Sequence, residues 1–154
     1  MPRVYRVMKQ SRDDALPEVG DSLDKLGIRE RDLQPDESGI ALPRRGGVSV
    51  VSGVGGLRRR LYKSLIAPDM VPQGLHGRGW FPGAIGRKKN RLRLYKTGDG
   101  PFAEGLLTDR LLVVPDEEDH ATVQPFVAMP YDDYRAAIVA TRADWINGED
   151  DPDE

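Results

Sequence analysis

The chain has no cysteine among its 154 residues. This absence excludes a disulfide framework, a cysteine nucleophile and any metal site built on thiolates, and it is compatible with a reducing compartment. Aromatic residues are also few, at 6% of the chain, whereas glycine and proline are abundant, with 17 and 12 residues. Such a composition predicts short elements joined by many loops rather than a helical bundle.

Long apolar runs are missing as well. The first ten residues, MPRVYRVMKQ, hold no apolar stretch of signal-peptide length. No segment approaches the roughly 18 consecutive apolar residues of a membrane span. We therefore expect a protein that does not enter a membrane and that, if it is exported, uses no cleaved signal. The length is sufficient to bury a core as one domain.

The net charge of −2 conceals a strong partition of charge along the chain. Residues 1 to 40 carry 7 basic and 9 acidic groups, residues 41 to 100 carry 13 and 2, and residues 101 to 154 carry 3 and 14. The three segments therefore have net charges of −2, +11 and −11. The central segment favours phosphate-bearing partners such as a dinucleotide, RNA or DNA. The alternative is that the acidic segment folds back on the basic one and neutralises it.

Short apolar or alternating runs predict five strands. They are VYRVM (4–8), VSVVS (48–52), RLRLYK (91–96), RLLVV (110–114) and HATVQPFVAM (120–129). Because proline cannot donate to a ladder, we expect Pro125 in the last run to lie at a sheet edge or at a bulge. DSLDKLG (21–27) predicts a short helix closed by Gly27.

The clearest element is a C-terminal helix. PYDDYRAAIVATRADW (130–145) begins with a proline and two aspartates, which suit the positive end of a helix dipole. Four side chains then follow at helical spacing and predict one packed face: Tyr134, Ile138, Thr141 and Trp145. Several strands with one or two helices, and no alternating βα pattern, predict one α+β domain over residues 1 to 146. The acidic tail NGEDDPDE (147–154) is expected to be disordered.

Familiar catalytic motifs are absent. The sequence has no Walker loop, dinucleotide fingerprint, HExxH motif, EF-hand or nucleophile elbow. Its two histidines, His76 and His120, are too few for a typical zinc site, so we expect no metal. GGVSVVSG (46–53) surrounds a short strand with glycine, which indicates a close approach to the backbone by a ligand or by another strand.

Three segments, in this order, resemble type VI secretion effector toxins with an ADP-ribosyltransferase-like fold. They are VYRV at the start, LGIR followed by DLQPDESGIALPRRGGVSV, and HATVQPFVAMPYDDYRAAIVATRADW near the end. In that family an aromatic-arginine first strand, a glycine-glycine-x-serine-valine strand and a His-x-Thr-(Ile/Val)-x-Pro...Met segment recur in the same order. The resemblance covers about half of the chain and leaves out residues 56 to 110.

The resemblance implies a fold of split antiparallel β-sheets with NAD as cofactor, held in a cleft between the sheets. The implied catalytic residues are Arg6, Ser49 and His120. The implied cofactor-binding residues are Tyr5, Arg6, Gly46, Gly47 and Ser49. A bidentate guanidinium suits a pyrophosphate or ribose, the serine would fix the nicotinamide ribose, and the histidine would stabilise the oxocarbenium-like state as nicotinamide leaves.

One position departs from the family pattern. Many transferases of this fold keep a glutamate at the third site position, at the end of a Q/E-x-E motif. The nearest candidates here are Glu117, Glu118 and Asp119, just before His120. If one of them enters the cleft, transfer is expected; if none does, NAD binding without turnover is expected.

The function that the resemblance implies is an NAD-dependent antibacterial effector toxin, acting in the cytoplasm of a target bacterium. Its partners would be NAD, a molecule that is modified and a cognate immunity protein that occludes the cleft. One alternative is a nucleic-acid-binding module, because the basic segment 44–96 interleaves positive charge with Tyr62 and Tyr95. Another is an immunity-type inhibitor whose acidic C-terminal surface is a decoy for a basic partner.

A variant of the nucleic-acid alternative is an RNA-acting enzyme. It would use His76 and His120 as general acid and base, with Lys88 or Lys89 on the phosphate. Only the residue types support this variant, since the sequence around them forms no motif.

Overall fold

The computed structural model describes residues 1–53 and 91–149, which form a mainly antiparallel β structure with one α-helix. Its strands are β1 (Val4–Lys9), β2 (Ile40–Ala41), β3 (Val48–Val51), β4 (Leu92–Thr97), β5 (Gly105–Leu106), β6 (Leu111–Glu117), β7 (His120–Pro125), β8 (Met129–Pro130) and β9 (Ile146–Asn147). The helix α1 spans Tyr131–Val139, and a single 3-10 turn follows at Arg142–Asp144. The predicted α+β class is confirmed, and each predicted strand begins within one residue of its expected start.

Seven strands form one sheet in the order β5-β6-β7-β3-β1-β4-β9, and all neighbours are antiparallel. Strands β2 and β8 form a separate two-stranded ladder. Pairing within the large sheet is uneven, because β1 is paired with β4 along its whole length but with β3 only through Tyr5 and Val51. The pairing between β1 and β3 is therefore the shortest in the sheet, and we call the strand groups on either side of it, β5-β6-β7-β3 and β1-β4-β9, the two half-sheets.

Alternation along the strands divides the side chains of the sheet between two faces. One of them, which we call the helix face, packs against α1 and carries the hydrophobic core. Its buried strand residues are Val4, Met8, Val48, Val50, Tyr95, Leu111, Val113, Ala121 and Val123. The segment containing α1 contributes Tyr134, Ala137, Ile138 and Trp145 to the same core. We call the other side of the sheet the Ser49 face. Several of its strand residues are buried as well: Tyr5, Val7, Val51, Leu92, Leu94 and Gln124.

The burial of the predicted C-terminal stripe is confirmed, but the single helix predicted over 130–145 is too long, because α1 ends at Val139 and Thr141 and Trp145 lie beyond it. All four of its predicted members are buried: Tyr134, Ile138, Thr141 and Trp145. The hydroxyl of Thr141 donates to the Ile138 carbonyl at 2.6 Å, and Trp145 Nε1 donates to Thr141 Oγ1 at 2.9 Å. A threonine is tolerated in this core-facing stripe because its polar atom has partners.

The helix predicted over residues 21–27 is wrong. The segment folds as turns in which Gly20 N–H donates to the Leu26 carbonyl and Leu26 N–H donates to the Glu18 carbonyl. A Cβ atom on Gly27 would overlap the carbonyl oxygen of Gly20. The glycine is therefore needed where two stretches of backbone touch, and it does not close a helix.

The prediction for Pro125 is also wrong, since β7 lies inside the sheet and has no bulge of its own. Pro125 is the last residue of β7 and is paired with Leu111. The strand therefore stops short of the predicted residue 129, at a residue that has no N–H group to donate. The irregularity of this hairpin lies instead in β6, between Pro115 and Glu117.

Residues at the end of the described chain belong to the folded unit. Asn147, expected to begin the tail, is paired with Tyr95, and Gly148 N–H donates to the Leu94 carbonyl. Residues 150–154 of the predicted tail lie outside the described residues. So do residues 54–90, which include most of the basic segment. In the described ranges, 1–53 and 91–149, no helix has the length and apolar character needed to cross a membrane.

Candidate functional site

Arg6 projects from β1 onto the helix face, where it is 2% exposed. Its Nη1 donates to the Ser49 carbonyl at 2.7 Å, and its Nη2 donates to the carbonyls of Leu23 at 2.8 Å and Lys25 at 3.4 Å. The guanidinium therefore ties β1 to β3 and to the loop that follows Gly20. Among the described residues, its buried Nε has no hydrogen-bond partner.

The charge of Arg6 is held in a poorly solvated place. Burial lowers the pKa of Arg6 to about 10, while the field of Asp32 acts in the opposite direction. Asp32 itself accepts two hydrogen bonds from the Arg29 guanidinium, at 2.8 and 3.1 Å. At neutral pH Arg6 is still cationic, and main-chain carbonyl dipoles replace most of the water that it has lost.

Ser49 and His120 lie on the Ser49 face, away from the side chain of Arg6. Val51 in β3 is paired with His120 in β7, and Ser49 lies two residues before Val51 on the same side of the strand. Tyr5 in β1 is paired with Val51 and joins this face. The structure thus brings Tyr5, Ser49 and His120 together beside the junction of the two half-sheets, and it places Arg6 behind them.

His120 is oriented by a carboxylate. Its side chain is 14% exposed, and its Nδ1 lies 2.6 Å from Asp116 Oδ1. Asp116 was not among the three carboxylates considered from sequence, of which Glu117 and Glu118 are exposed and Asp119 is buried. Asp116 belongs to the irregular part of β6, and a bulge of this kind has no periodic signal in the sequence.

Two further polar side chains of β7 lie on the Ser49 face. Gln124 donates to Thr122 Oγ1 at 2.9 Å, and its Oε1 accepts the main-chain N–H of Arg44 at 2.9 Å. Thr122 is paired directly with Ser49. Sequence reasoning did not select these two residues, although the alternation of His120, Thr122 and Gln124 at a period of two was the available signal.

The glycines before β3 are explained by the protein's own backbone. Gly46 has a φ of 109°, and a Cβ atom there would overlap the carbonyl oxygen of Asp32. A Cβ atom on Gly47 would overlap the carbonyl oxygen of Val123 in β7. Of the two alternatives raised by GGVSVVSG, the approach of another strand is observed at Gly47, whereas Gly46 meets the turn at Asp32. A cofactor contact at these glycines stays a prediction.

A surface cavity of about 340 Å³ lies elsewhere, between β4, β9 and the loop after β1. Its lining residues are Gln10, Ala15, Leu16, Arg93, Leu94, Tyr95, Trp145, Ile146 and Asn147. None of the residues predicted for the site contributes to it. Within the described ranges, no three His, Asp or Glu side chains are grouped so that they could hold a metal ion.

Comparison of the chain with protein-family models, with curated proteins and with solved structures found no match. The candidate site is therefore defined by its geometry: a serine and a carboxylate-bonded histidine on the Ser49 face, at the junction of the two half-sheets. Arg6 closes the junction from the other side.

Proposed function

We propose that this chain is an NAD-dependent, ADP-ribosyltransferase-like enzyme that acts as an antibacterial toxin in the cytoplasm of a target bacterium. The observation that carries the proposal is the short strand pairing between the two half-sheets, which is limited to Tyr5 and Val51. Proteins of the ADP-ribosyltransferase-like fold hold NAD between two small antiparallel sheets. The sequence resemblance assigns Ser49 and His120 to that cleft, and strand register supports this because it puts both residues on one face beside the junction.

The Ser49 face supplies the groups that such chemistry needs. In the reaction, the bond between ribose C1′ and the nicotinamide nitrogen breaks, and its electron pair leaves with nicotinamide. The acceptor then bonds to C1′ and gives up a proton. In our proposal the Ser49 hydroxyl holds the nicotinamide ribose, and His120 binds a ribose hydroxyl while positive charge develops on the ring.

Arg6 has a different role in this proposal from the one that the resemblance implies. Its two Nη atoms are engaged by main-chain carbonyls, including that of Ser49. It acts as a positioning residue that holds β3 against β1, so that the serine is presented on the other face. A cognate immunity protein would neutralise the toxin by blocking access to Ser49 and His120.

The described residues contain only part of the basic segment on which the nucleic-acid alternative rests. Most of its basic groups fall within residues 54–90, outside the described ranges. Arg91, which is described, donates to the Gln10 carbonyl at 3.2 Å and pairs with Glu18 at 3.6 Å. Its charge is used inside the fold, so it provides no free contact for a phosphate.

The proposal is tested by inducing expression in a bacterial host and measuring growth at matched levels of soluble protein. Wild type should arrest growth, whereas Ser49→Ala and His120→Gln should relieve the arrest. Ser38→Ala, in an exposed turn, is the matched serine control and should remain toxic. His76→Gln is the matched histidine control, and relief by this change would favour the RNA-acting alternative.

The chemistry is tested with purified protein, by following nicotinamide release from NAD. Wild type should release nicotinamide when lysate of the target bacterium supplies an acceptor, and the Ser49 and His120 variants should not. A soluble wild-type protein that leaves growth unchanged and consumes no NAD would contradict the proposal.

A further inference from the structure

We propose that Asp116 is a positioning residue that fixes His120 with its proton on Nδ1 and so presents an unprotonated Nε2 to a ribose hydroxyl. This inference rests on the function proposed above. It adds a residue to which the sequence resemblance assigns no role. It also states which atom of the histidine meets the substrate.

The hydrogen bond defines the tautomer. His120 Nδ1 lies 2.6 Å from Asp116 Oδ1. An ionised carboxylate can only accept, so Nδ1 must donate. In the neutral imidazole the lone pair then belongs to Nε2, as it does where a carboxylate orients a histidine at other catalytic and metal sites.

A lone pair on Nε2 matches the electronic demand of the reaction. When nicotinamide leaves with its electron pair, the ribose ring becomes electron-deficient. A ribose hydroxyl that donates a hydrogen bond to Nε2 gains electron density on its oxygen and stabilises the positive charge beside it. The opposite tautomer would present an N–H group, which can only donate.

The fold places Asp116 beside His120 through a bulge. The register of β6 against β7 shifts between Pro115 and Glu117, and Asp116 is the extra residue. Glu117 is paired with His120, so two residues of β6 stand opposite one residue of β7. Bulges often direct a side chain towards an active site, and Pro115, which has no N–H group to donate, accompanies this one.

Stability does not account for the pair. The Asp116 side chain is 48% exposed, although the His120 side chain is only 14% exposed. An ion pair with such an exposed partner contributes at most about 1 kcal/mol. The pair requires one irregular position in β6, and its effect is to fix the orientation of the His120 ring.

The test is the tautomer itself, read from the ¹⁵N chemical shifts of histidine in protein made in a cell-free system. With two histidines in the chain, His76→Gln identifies the His120 signals. Wild type should show the proton on Nδ1, and Asp116→Asn should lose this single state. Asp116→Glu should restore part of it. Glu118→Gln, an equal charge change on an exposed neighbour, should leave it unchanged.

Turnover gives the second readout. Asp116→Asn should lower kcat for nicotinamide release at least about tenfold with little change in KM, as seen for residues that orient a functional histidine. A wild-type proton on Nε2, or an Asp116→Asn protein with an unchanged tautomer, would overturn the inference. So would a changed tautomer with unchanged turnover. A wild type with the expected tautomer and no NAD turnover would instead overturn the proposed function.

Discussion

Arg6 and His120, two residues assigned to one site from sequence, lie on opposite faces of the sheet and have different kinds of partner. Arg6 is 2% exposed and bonds to main-chain carbonyls of three residues. His120 bonds to one half-exposed carboxylate. Removing a buried donor leaves several carbonyls unsatisfied, whereas removing a side chain held by an exposed partner leaves groups that water can satisfy. The partners of a polar residue, more than its type, therefore separate a structural role from a functional one.

The largest expected effect is that of Arg6→Ala. It removes a buried donor from three main-chain carbonyls, and it should lower the free energy of unfolding by at least about 3 kcal/mol. His120→Gln should change it by no more than about 1 kcal/mol. Urea denaturation of both variants provides the measurement, with the midpoint compared at an unchanged m-value.

Arg110→Ala is the matched control for Arg6→Ala, because Arg110 is exposed. Its free energy of unfolding should stay within about 0.5 kcal/mol of wild type. Equal stability of the two arginine variants would show that the carbonyl contacts of Arg6 do not hold the half-sheets together. If Arg6→Ala unfolds as expected, relief of growth arrest by this variant says nothing about the site.

The next effect is that of Gly47→Ala, which tests the contact between β3 and β7. The new methyl group would meet the Val123 carbonyl oxygen, so the strands must separate, at a cost of about 2 kcal/mol. Gly53→Ala is the control, because nothing lies within 4 Å of a Cβ atom there. Thermal unfolding should show a lower midpoint for the first variant alone. Equal midpoints would mean that Gly47 is not required by packing.

Local patterns in the sequence predicted much of this fold. The strand starts and the buried stripe of the last helix follow from alternation and helical spacing, which depend on neighbouring residues only. Alternation also separates Arg6 from Tyr5. What it does not specify is the face that the helix covers, because this depends on contacts between distant segments. The burial of Arg6 was therefore missed.

The other failures have the same physical origin. The carbonyl groups of Leu23 and Lys25, within the predicted helix at 21–27, are bonded by the Arg6 guanidinium in β1. The carboxylate on His120 is supplied by an irregular residue of the preceding strand. Both features are set by tertiary contacts that override the local preference. Ser49 and His120 were assigned from the sequence resemblance, and their shared face follows from strand register. The carboxylate on His120 depends on a bulge, which has no periodic signal in the sequence.

A smaller effect is expected for Tyr95→Phe, on the core side of the sheet. Tyr95 Oη donates to the Ala15 carbonyl at 3.0 Å, and burial raises the pKa of Tyr95 from 10.0 to about 12. The loss of this hydrogen bond should lower the free energy of unfolding by about 1 kcal/mol near neutral pH.

The pH dependence of this difference has a definite sign. A raised pKa means that the folded state keeps the phenol proton more tightly than the unfolded state does. The contribution is complete below pH 10.0 and is lost as the pH rises through about 12. The difference between wild type and Tyr95→Phe in urea unfolding should therefore shrink between these two values. A constant difference would show that the phenol is not protected by burial.

The smallest effect is expected for Asp14→Asn, which tests an arginine that, unlike Arg6, bonds to an exposed carboxylate. The Arg142 guanidinium donates to both carboxylate oxygens of Asp14, at 2.9 and 3.0 Å, and this hydrogen bonding lowers the pKa of Asp14. A lowered pKa contributes stability above the ordinary value of 3.8, and this contribution is lost as the pH falls through the folded-state value. Wild type and Asp14→Asn should therefore differ slightly at neutral pH and converge in acid. Because Asp14 is exposed, water can replace the hydrogen bonds from Arg142 when they are lost. If Asp14→Asn lowered the free energy of unfolding as much as Arg6→Ala does, burial would not explain why the contacts of Arg6 stabilise the fold more than those of Arg142.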